Sequence, residues 1–161
     1  ISIARVACPI ADVIAESAAR RAEISKSHRI KVELEGLPPT IFADADALER
    51  VFSNLLSNAV KYSPNSSAVL VRGWMKGANA FVSVKDSGIG MDSDDLPKLF
   101  QPYFRARSST GIAGTGIGLN IVGEILELHG GSISVSSILG QGTTFTVTLP
   151  IEAAENQQKV A

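Results

Sequence analysis

Eleven of the 14 glycines lie between Gly88 and Gly142. Loop-rich domains scatter glycine along the chain. A cluster marks backbone that must turn sharply or pass close to something. The regular elements flank and interrupt this region. Residues 1–6 are expected as a short strand, and Pro9 suits the start of a helix over 10–27, with Val13, Ile14, Ala18 and Ile24 as its apolar stripe. Residues 30–35 alternate strictly, as a half-buried strand does. A turn at 36–39 leads to a short strand at 40–43. Asp44 or Asp46 then caps an amphipathic helix to Tyr62, whose apolar face carries Leu48, Val51, Phe52, Leu55, Leu56 and Ala59. After a breaker at 63–67, strands at 68–75 and 80–86 form a hairpin.

Residues 87–115 contain no long periodic element, only a short helix at 94–100. A connection of that length in a compact domain is usually functional. A helix resumes over 116–129, with Ile117, Ile121, Ile125 and Leu128 at helical spacing, and Gly130-Gly131 ends it. A second hairpin pairs 132–137 with 143–149, and a polar, disordered tail is expected over 152–161. The order predicts a single domain over 1–151, an α/β two-layer sandwich. Three helices cover one face of a mixed, mainly antiparallel sheet of about five strands.

Composition narrows the function classes. The 161 residues carry 15 Lys+Arg against 16 Asp+Glu, a net charge of -1. That excludes a generally basic, nucleic-acid-binding surface. The single cysteine, Cys8, cannot form an intramolecular disulfide or a paired-cysteine metal site, and fits a reducing compartment. No apolar run in these residues approaches the ~18 residues of a membrane span, and the first residues do not read as a signal peptide. The chain begins at Ile1 and not at Met, which fits a piece of something longer.

Four stretches carry chemistry. On the central helix, Asn54, Asn58 and Lys61 stand at i, i+4 and i+7, within about 60° of one another. Asn is a mediocre helix former, so the pattern is either a solvated polar face or a face aimed at a polyphosphate. In the second reading amide oxygens hold Mg²⁺ and the ammonium meets phosphate oxygens. At a strand end, Asp86-Ser87-Gly88-Ile89-Gly90-Met91 puts Asp86 on the pleat face of Val82 and Val84. It is either a turn-forming carboxylate in solvent or a buried acceptor for a ligand N–H, such as an adenine amine. Gly111-Ile112-Ala113-Gly114-Thr115-Gly116-Ile117-Gly118-Leu119 runs into a helix start, an anion site made of backbone N–H groups. It is not a P-loop, which needs Lys-Ser/Thr after Gly116, nor a dinucleotide fingerprint, since Leu119 stands where the last glycine belongs. Leu99-Phe100-Gln101-Pro102-Tyr103-Phe104-Arg105-Ala106-Arg107 either anchors the long loop on the core or plays a specific role.

In order and spacing, 54–63, 86–91, 100–105 and 114–119 resemble the N, G1, F and G2 boxes of sensor histidine kinases. Leu128-His129-Gly130-Gly131 and Gly140-Gln141-Gly142-Thr143-Thr144-Phe145 are similar to the end of the same domain. The resemblance covers residues 1–150. The family is the catalytic and ATP-binding domain of the superfamily shared by histidine kinases, gyrase, a heat-shock chaperone and mismatch-repair ATPases. It implies ATP and Mg²⁺ as cofactors. Asn58 is then the Mg²⁺ ligand, with Asn54 beside the metal and its waters, Lys61 on phosphates and Tyr62 near the adenine; Asn54, Asn58 and Lys61 form the catalytic set. Asp86 accepts the adenine amino group, and Gly88 and Gly90 shape that pocket. Residues 92–113 form a lid that Gly114, Gly116, Gly118 and Leu119 close on the triphosphate. Met91, Phe100, Arg105, Thr115 and Thr144 complete the nucleotide-binding set.

In the hydrolytic members of that superfamily a Glu occupies the place of Asn54. An amide cannot act as a general base at neutral pH, which favours phosphoryl transfer over hydrolysis. The resemblance further implies a helical dimerisation and phosphoacceptor domain before Ile1, a cognate response regulator, a homodimeric parent and a cytoplasmic location. Neither His28 nor His129 matches a phosphoacceptor motif; His129 is expected as a helix-end cap. A serine-protein kinase of the anti-sigma-factor type, or a pseudokinase binding module, would share the pocket.

Overall fold

A computed structural model describes residues 1–64, 67–101 and 118–152. In chain order the elements are β1 (Val6–Cys8), α1 (Ile10–Ile24), β2 (Arg29–Glu33), β3 (Ile41–Ala43), α2 (Ala45–Lys61), β4 (Ala68–Lys76) and β5 (Asn79–Asp86), then a single 3-10 turn (Leu96–Lys98), α3 (Gly118–Leu128), β6 (Ser132–Ile138) and β7 (Gly142–Pro150). Five strands form one sheet in the order β2-β4-β5-β7-β6. Only β2–β4 is parallel; β4–β5, β5–β7 and β6–β7 are antiparallel. The helices pack on one face of it, with α2 in contact with both α1 and α3. This is the expected two-layer sandwich. A separate pair, β1–β3, runs antiparallel from Val6↔Ala43 to Cys8↔Ile41.

The core lies between the layers. α2 buries all six residues of its expected stripe, Leu48, Val51, Phe52, Leu55, Leu56 and Ala59, against Val69, Val71, Val82, Val84 and Val147 of the sheet. Fully burying one such side chain contributes about 1.5–3 kcal/mol before the entropy of ordering is subtracted. Four local expectations are corrected. The first strand is Val6–Cys8 and not 1–6, because it is β3 that supplies its partner. In α1, Ile10, Ile14, Ser17 and Ala18 are buried, whereas Ile24, at the end of the helix, is exposed. In α3, Val122, Ile125 and Leu126 face the core and Leu128 is partly exposed. Asn120, Glu124 and Glu127 stand at i, i+4 and i+7 on the outer side, so the spacing of the polar residues, and not the Ile121, Ile125 and Leu128 series, marks the buried face. The short helix expected over 94–100 is the one 3-10 turn.

Two fixed ends position the site. Asp44 caps α2, its Oδ1 accepting the N–H of Ala47 at 3.1 Å. At the end of α3, the N–H of Gly131 donates to the carbonyl of Leu126 at 2.8 Å and that of Gly130 to Glu127 at 3.0 Å. The pair closes a helix C-terminus, as Gly130-Gly131 predicts. Among the described residues no helix is long and apolar enough to cross a membrane.

Candidate nucleotide site

The site is built around the end of β5 and the turn that follows it, held against the end of α2 and the second hairpin. Asp86 is the last residue of β5 and is 7% exposed, on the helix-facing side with Val82 and Val84. A buried carboxylate is costly unless donors meet it. Two do: the N–H of Gly88 reaches Oδ1 at 2.8 Å, and the N–H of Thr143 reaches the same oxygen at 3.3 Å. Burial pushes the Asp86 carboxyl above its usual range, and these two bonds only partly offset that. Both donors fall on Oδ1, and among the described residues none falls on Oδ2.

The turn after Asp86 is held against α2 and the second hairpin. The N–H of Ile89 donates to the carbonyl of Tyr62 at 3.0 Å, just past the end of α2. The N–H of Gly140 donates to the carbonyl of Ile89 at 2.7 Å, and that of Met91 to Ser137 Oγ at 2.9 Å. A Cβ on Gly88 would collide with the carbonyl oxygen of Tyr62. Gly90 has φ +67° and sits against the carbonyl of Ile138. Both glycines are therefore required by close approach of the protein's own backbone, and Gly90 by its left-handed conformation as well.

On α2, Asn54 and Asn58 are half-buried, and Lys61, the last helical residue, is exposed. Asn54 faces the start of α3: its Oδ1 lies 3.6 Å from where a Cβ on Gly118 would sit. The structure thus brings Tyr62, Asp86, Gly88, Gly90 and Met91 together at the end of α2, and sets Asn54 beside Gly118 about two turns earlier on the same helix. For a divalent cation, the donors here are neutral amide oxygens. Among the described residues no group of three or more His, Cys, Asp or Glu could hold a metal. That donor set fits Mg²⁺, which takes one or two protein oxygens and completes its shell with phosphates and water.

Other expected site residues stand elsewhere. Thr144 pairs with Lys85, and Thr143 with Asp86. Successive strand residues face opposite ways, so Thr143, not Thr144, shares the face of the carboxylate. Phe100 packs edge-on against Phe145, ring centroids 6.4 Å apart at 81°. Leu119 is half-buried against the core. Arg105, Gly114, Thr115 and Gly116 lie outside the described residues, as do Phe104, Arg107 and most of the expected lid and tail. Sequence reasoning missed Thr143 and Ser137. The signal that could have found them is the register of the second hairpin, in which Ser137, Thr143 and Asp86 are directly paired.

Residues 43–153 match the family described as histidine kinase-, DNA gyrase B- and HSP90-like ATPases. The phosphate regulon sensor protein PhoR of Pseudomonas aeruginosa is 38% identical over 138 residues, covering 83% of this chain and 31% of that protein. The sensor histidine kinase ZraS of Escherichia coli K12 is 42% identical over 113 residues, covering 70% of this chain and 23% of that protein. The chain therefore spans a third or less of the length of either relative. The solved structure of the mycobacterial sensor histidine kinase MprB superposes with a TM-score of 0.83 at 27% identity, over 94% of this chain and 100% of that one.

Proposed function

This chain belongs to the family of histidine kinase-, DNA gyrase B- and HSP90-like ATPases, and from that premise we propose that it is the Mg-ATP-binding catalytic domain of a sensor histidine kinase. It presents the ATP γ-phosphate to a histidine on a helical dimerisation hairpin outside this chain, in a cytoplasmic, homodimeric parent that passes the phosphoryl group to a response regulator. The observation that carries the reading is Asp86: a buried carboxylate with two backbone donors on Oδ1 and, among the described residues, none on Oδ2, beside a turn whose glycines pack against the carbonyls of Tyr62 and Ile138. Oδ2 accepts the exocyclic amine of adenine. The ribose and phosphates then run along α2 toward Asn54 and Gly118, and a helix N-terminus on that side favours anions.

Mg²⁺, when bound, would neutralise charge on the phosphates. Asn58 is the residue that would hold it, with Asn54 beside its waters. Lys61, exposed at the end of α2, contributes a mobile positive charge to the phosphates. Because Asn54 is an amide, it cannot take a proton from water, which supports transfer to a protein acceptor over hydrolysis. Catalysis on this chain is then positioning and electrostatics. The similarity to relatives named as sensor kinases does not favour a serine kinase or a binding module.

Calorimetry with a non-hydrolysable ATP analogue, on wild type and Asp86→Asn, tests the reading. Wild type should bind in a Mg²⁺-dependent manner, and the variant at least tenfold more weakly. Absence of binding by the wild type refutes nucleotide binding, and equal binding by both refutes the role of Asp86. Transfer of labelled phosphate from ATP to a separately supplied phosphoacceptor hairpin would test the kinase step.

A further inference from the structure

Asp86, Thr143 and Ser137 form one row across three adjacent strands: Asp86 of β5 pairs with Thr143 of β7, and Thr143 pairs with Ser137 of β6. The hydrogen bonds along this row can be assigned by counting. A serine hydroxyl has one proton and two lone pairs. Ser137 Oγ donates its proton to the carbonyl of Gly142 at 3.0 Å, because a carbonyl can only accept. One lone pair takes the N–H of Met91 at 2.9 Å. The remaining contact is Thr143 Oγ1 at 2.8 Å. With the Ser137 proton committed, the proton in that bond must come from Thr143. The Thr143 hydroxyl is thereby turned away from donating to anything else, and what it has left to offer is lone pairs.

We propose that Ser137, through Thr143, sets the hydrogen-bond polarity of the base end of the pocket and so selects a purine bearing a 6-amino group over one bearing a 6-keto group. The inference rests on the reading that Asp86 meets the base. With Thr143 locked as a donor to Ser137, the row presents only acceptors beside Asp86 Oδ2. A 6-amino group, or a water hydrogen-bonded to it, supplies donors to such a surface. A 6-keto oxygen supplies none, and leaves buried lone pairs facing one another, which is more costly than a weak contact. Ser137 does not itself meet the base; it acts on the base as a positioning residue. The same hydroxyl clips the backbone of Met91, so the turn carrying Gly90 keeps its place relative to the row.

The test uses two non-hydrolysable triphosphates that differ only at the 6-position of the base and its adjoining ring nitrogen, the adenosine and inosine forms. Affinities for both are measured by calorimetry, with displacement for the weaker one, on wild type, Ser137→Ala and Ser137→Thr. Ser137→Ala frees the Thr143 proton to donate to a keto oxygen. The adenosine-to-inosine preference should fall about fivefold or more, and Ser137→Thr, which keeps a hydroxyl, should hold it within twofold. A hairpin that is merely loosened would weaken both ligands by one factor and leave their ratio unchanged. An unchanged ratio in Ser137→Ala, with or without weaker binding, overturns the inference while leaving Asp86 in its role. Failure of the wild type to bind either triphosphate overturns the reading of the site, and this inference with it.

Discussion

The backbone N–H of Asp44 donates to Nε2 of His129 at 3.1 Å, joining the start of α2 to the end of α3. The other ring nitrogen, Nδ1, meets the carbonyl of Ile125 at 2.8 Å. A carbonyl accepts, so Nδ1 carries the proton and Nε2 is the acceptor: a neutral ring with both nitrogens used. The Asp44 carboxylate extends the link, its Oδ2 accepting the N–H of Ala4 at 2.9 Å. His129 is thus the helix-end structural residue expected, with a reach across the helical layer.

Replacing His129 by Ala should destabilise the domain by about 2–4 kcal/mol, from a cavity and an unpaired buried N–H on Asp44. Asp44→Ala should cost about 1 kcal/mol through its lost cap. Its carboxyl sits below its usual range because the N–H groups of Ala4 and then Ala47 favour the ionised form. A depressed carboxyl stabilises above its unfolded value and loses that contribution as pH falls through the folded one. The Asp44→Ala penalty should therefore shrink in acid. Urea unfolding of both variants at pH 7, and of Asp44→Ala at a series of acidic pH values, checks this.

Asp86 has the opposite sign. Its carboxyl is raised above 3.8 by burial. The folded state then holds its proton to higher pH than the unfolded state does, so this group's contribution falls as pH rises from 3.8 through the folded value. Above that window the unliganded wild type carries the full penalty of a buried charge. The stability of wild type relative to Asp86→Asn should improve as pH is lowered through the window, while its nucleotide affinity declines. Parallel denaturation and calorimetric series from pH 7 downward would show the two trends diverging.

The chain alone should not phosphorylate itself. His129 is 1% exposed with both nitrogens engaged. His28 is also buried, with Nδ1 on Ser27 Oγ at 3.0 Å and Nε2 on the carbonyl of Ser63 at 3.3 Å. Neither offers a free nitrogen to an incoming phosphorus. Acid-labile phosphate on the purified chain after incubation with γ-labelled Mg-ATP would contradict this.

Two glycine-to-alanine changes should move in opposite directions. At Gly88 a Cβ meets backbone, and the Tyr62 carbonyl cannot withdraw without lengthening its bond to Ile89. Gly88→Ala should abolish nucleotide binding and lower the melting temperature. At Gly123, inside α3, an added Cβ meets Phe100 at 3.8 Å, an ordinary contact. Gly123→Ala should stabilise by about 0.5–1 kcal/mol, since glycine costs that much in a helix interior. Thermal unfolding with and without nucleotide separates the two.

What the sequence made legible followed periodicity and spacing. The buried face of α2, the Asp44 cap, the two hairpins and the inward position of Asp86 each depend on local pattern. The residues that escaped depend on pairing. Thr144 and Thr143 differ by one position, and a one-residue difference in strand register exchanges the two faces. Nothing within Thr143-Thr144 says which of them meets Asp86; the alignment of β5 with β7 does. β1 was misplaced because its pairing with β3 fixes where it lies, and the buried face of α3 was missed because the apolar series was followed and not the polar stripe of Asn120, Glu124 and Glu127. The chemistry of the base pocket was readable as Asp86 and its glycines, but its hydroxyl row appears only once three strands lie side by side.

The two donors on Asp86 Oδ1 are very unequally distant along the chain. Gly88 is two residues away, whereas Thr143 is 57 residues away. The first bond can form as soon as the local turn does. The second waits for β7 to find β5 across the intervening loop, α3 and β6, a closure that is entropically expensive and slow. The pocket is accordingly expected to be completed late as the chain folds. A nucleotide gains its full set of contacts only from the finished sheet, so it stabilises the end of folding without speeding the start: it should slow unfolding and leave the rate of early collapse unchanged.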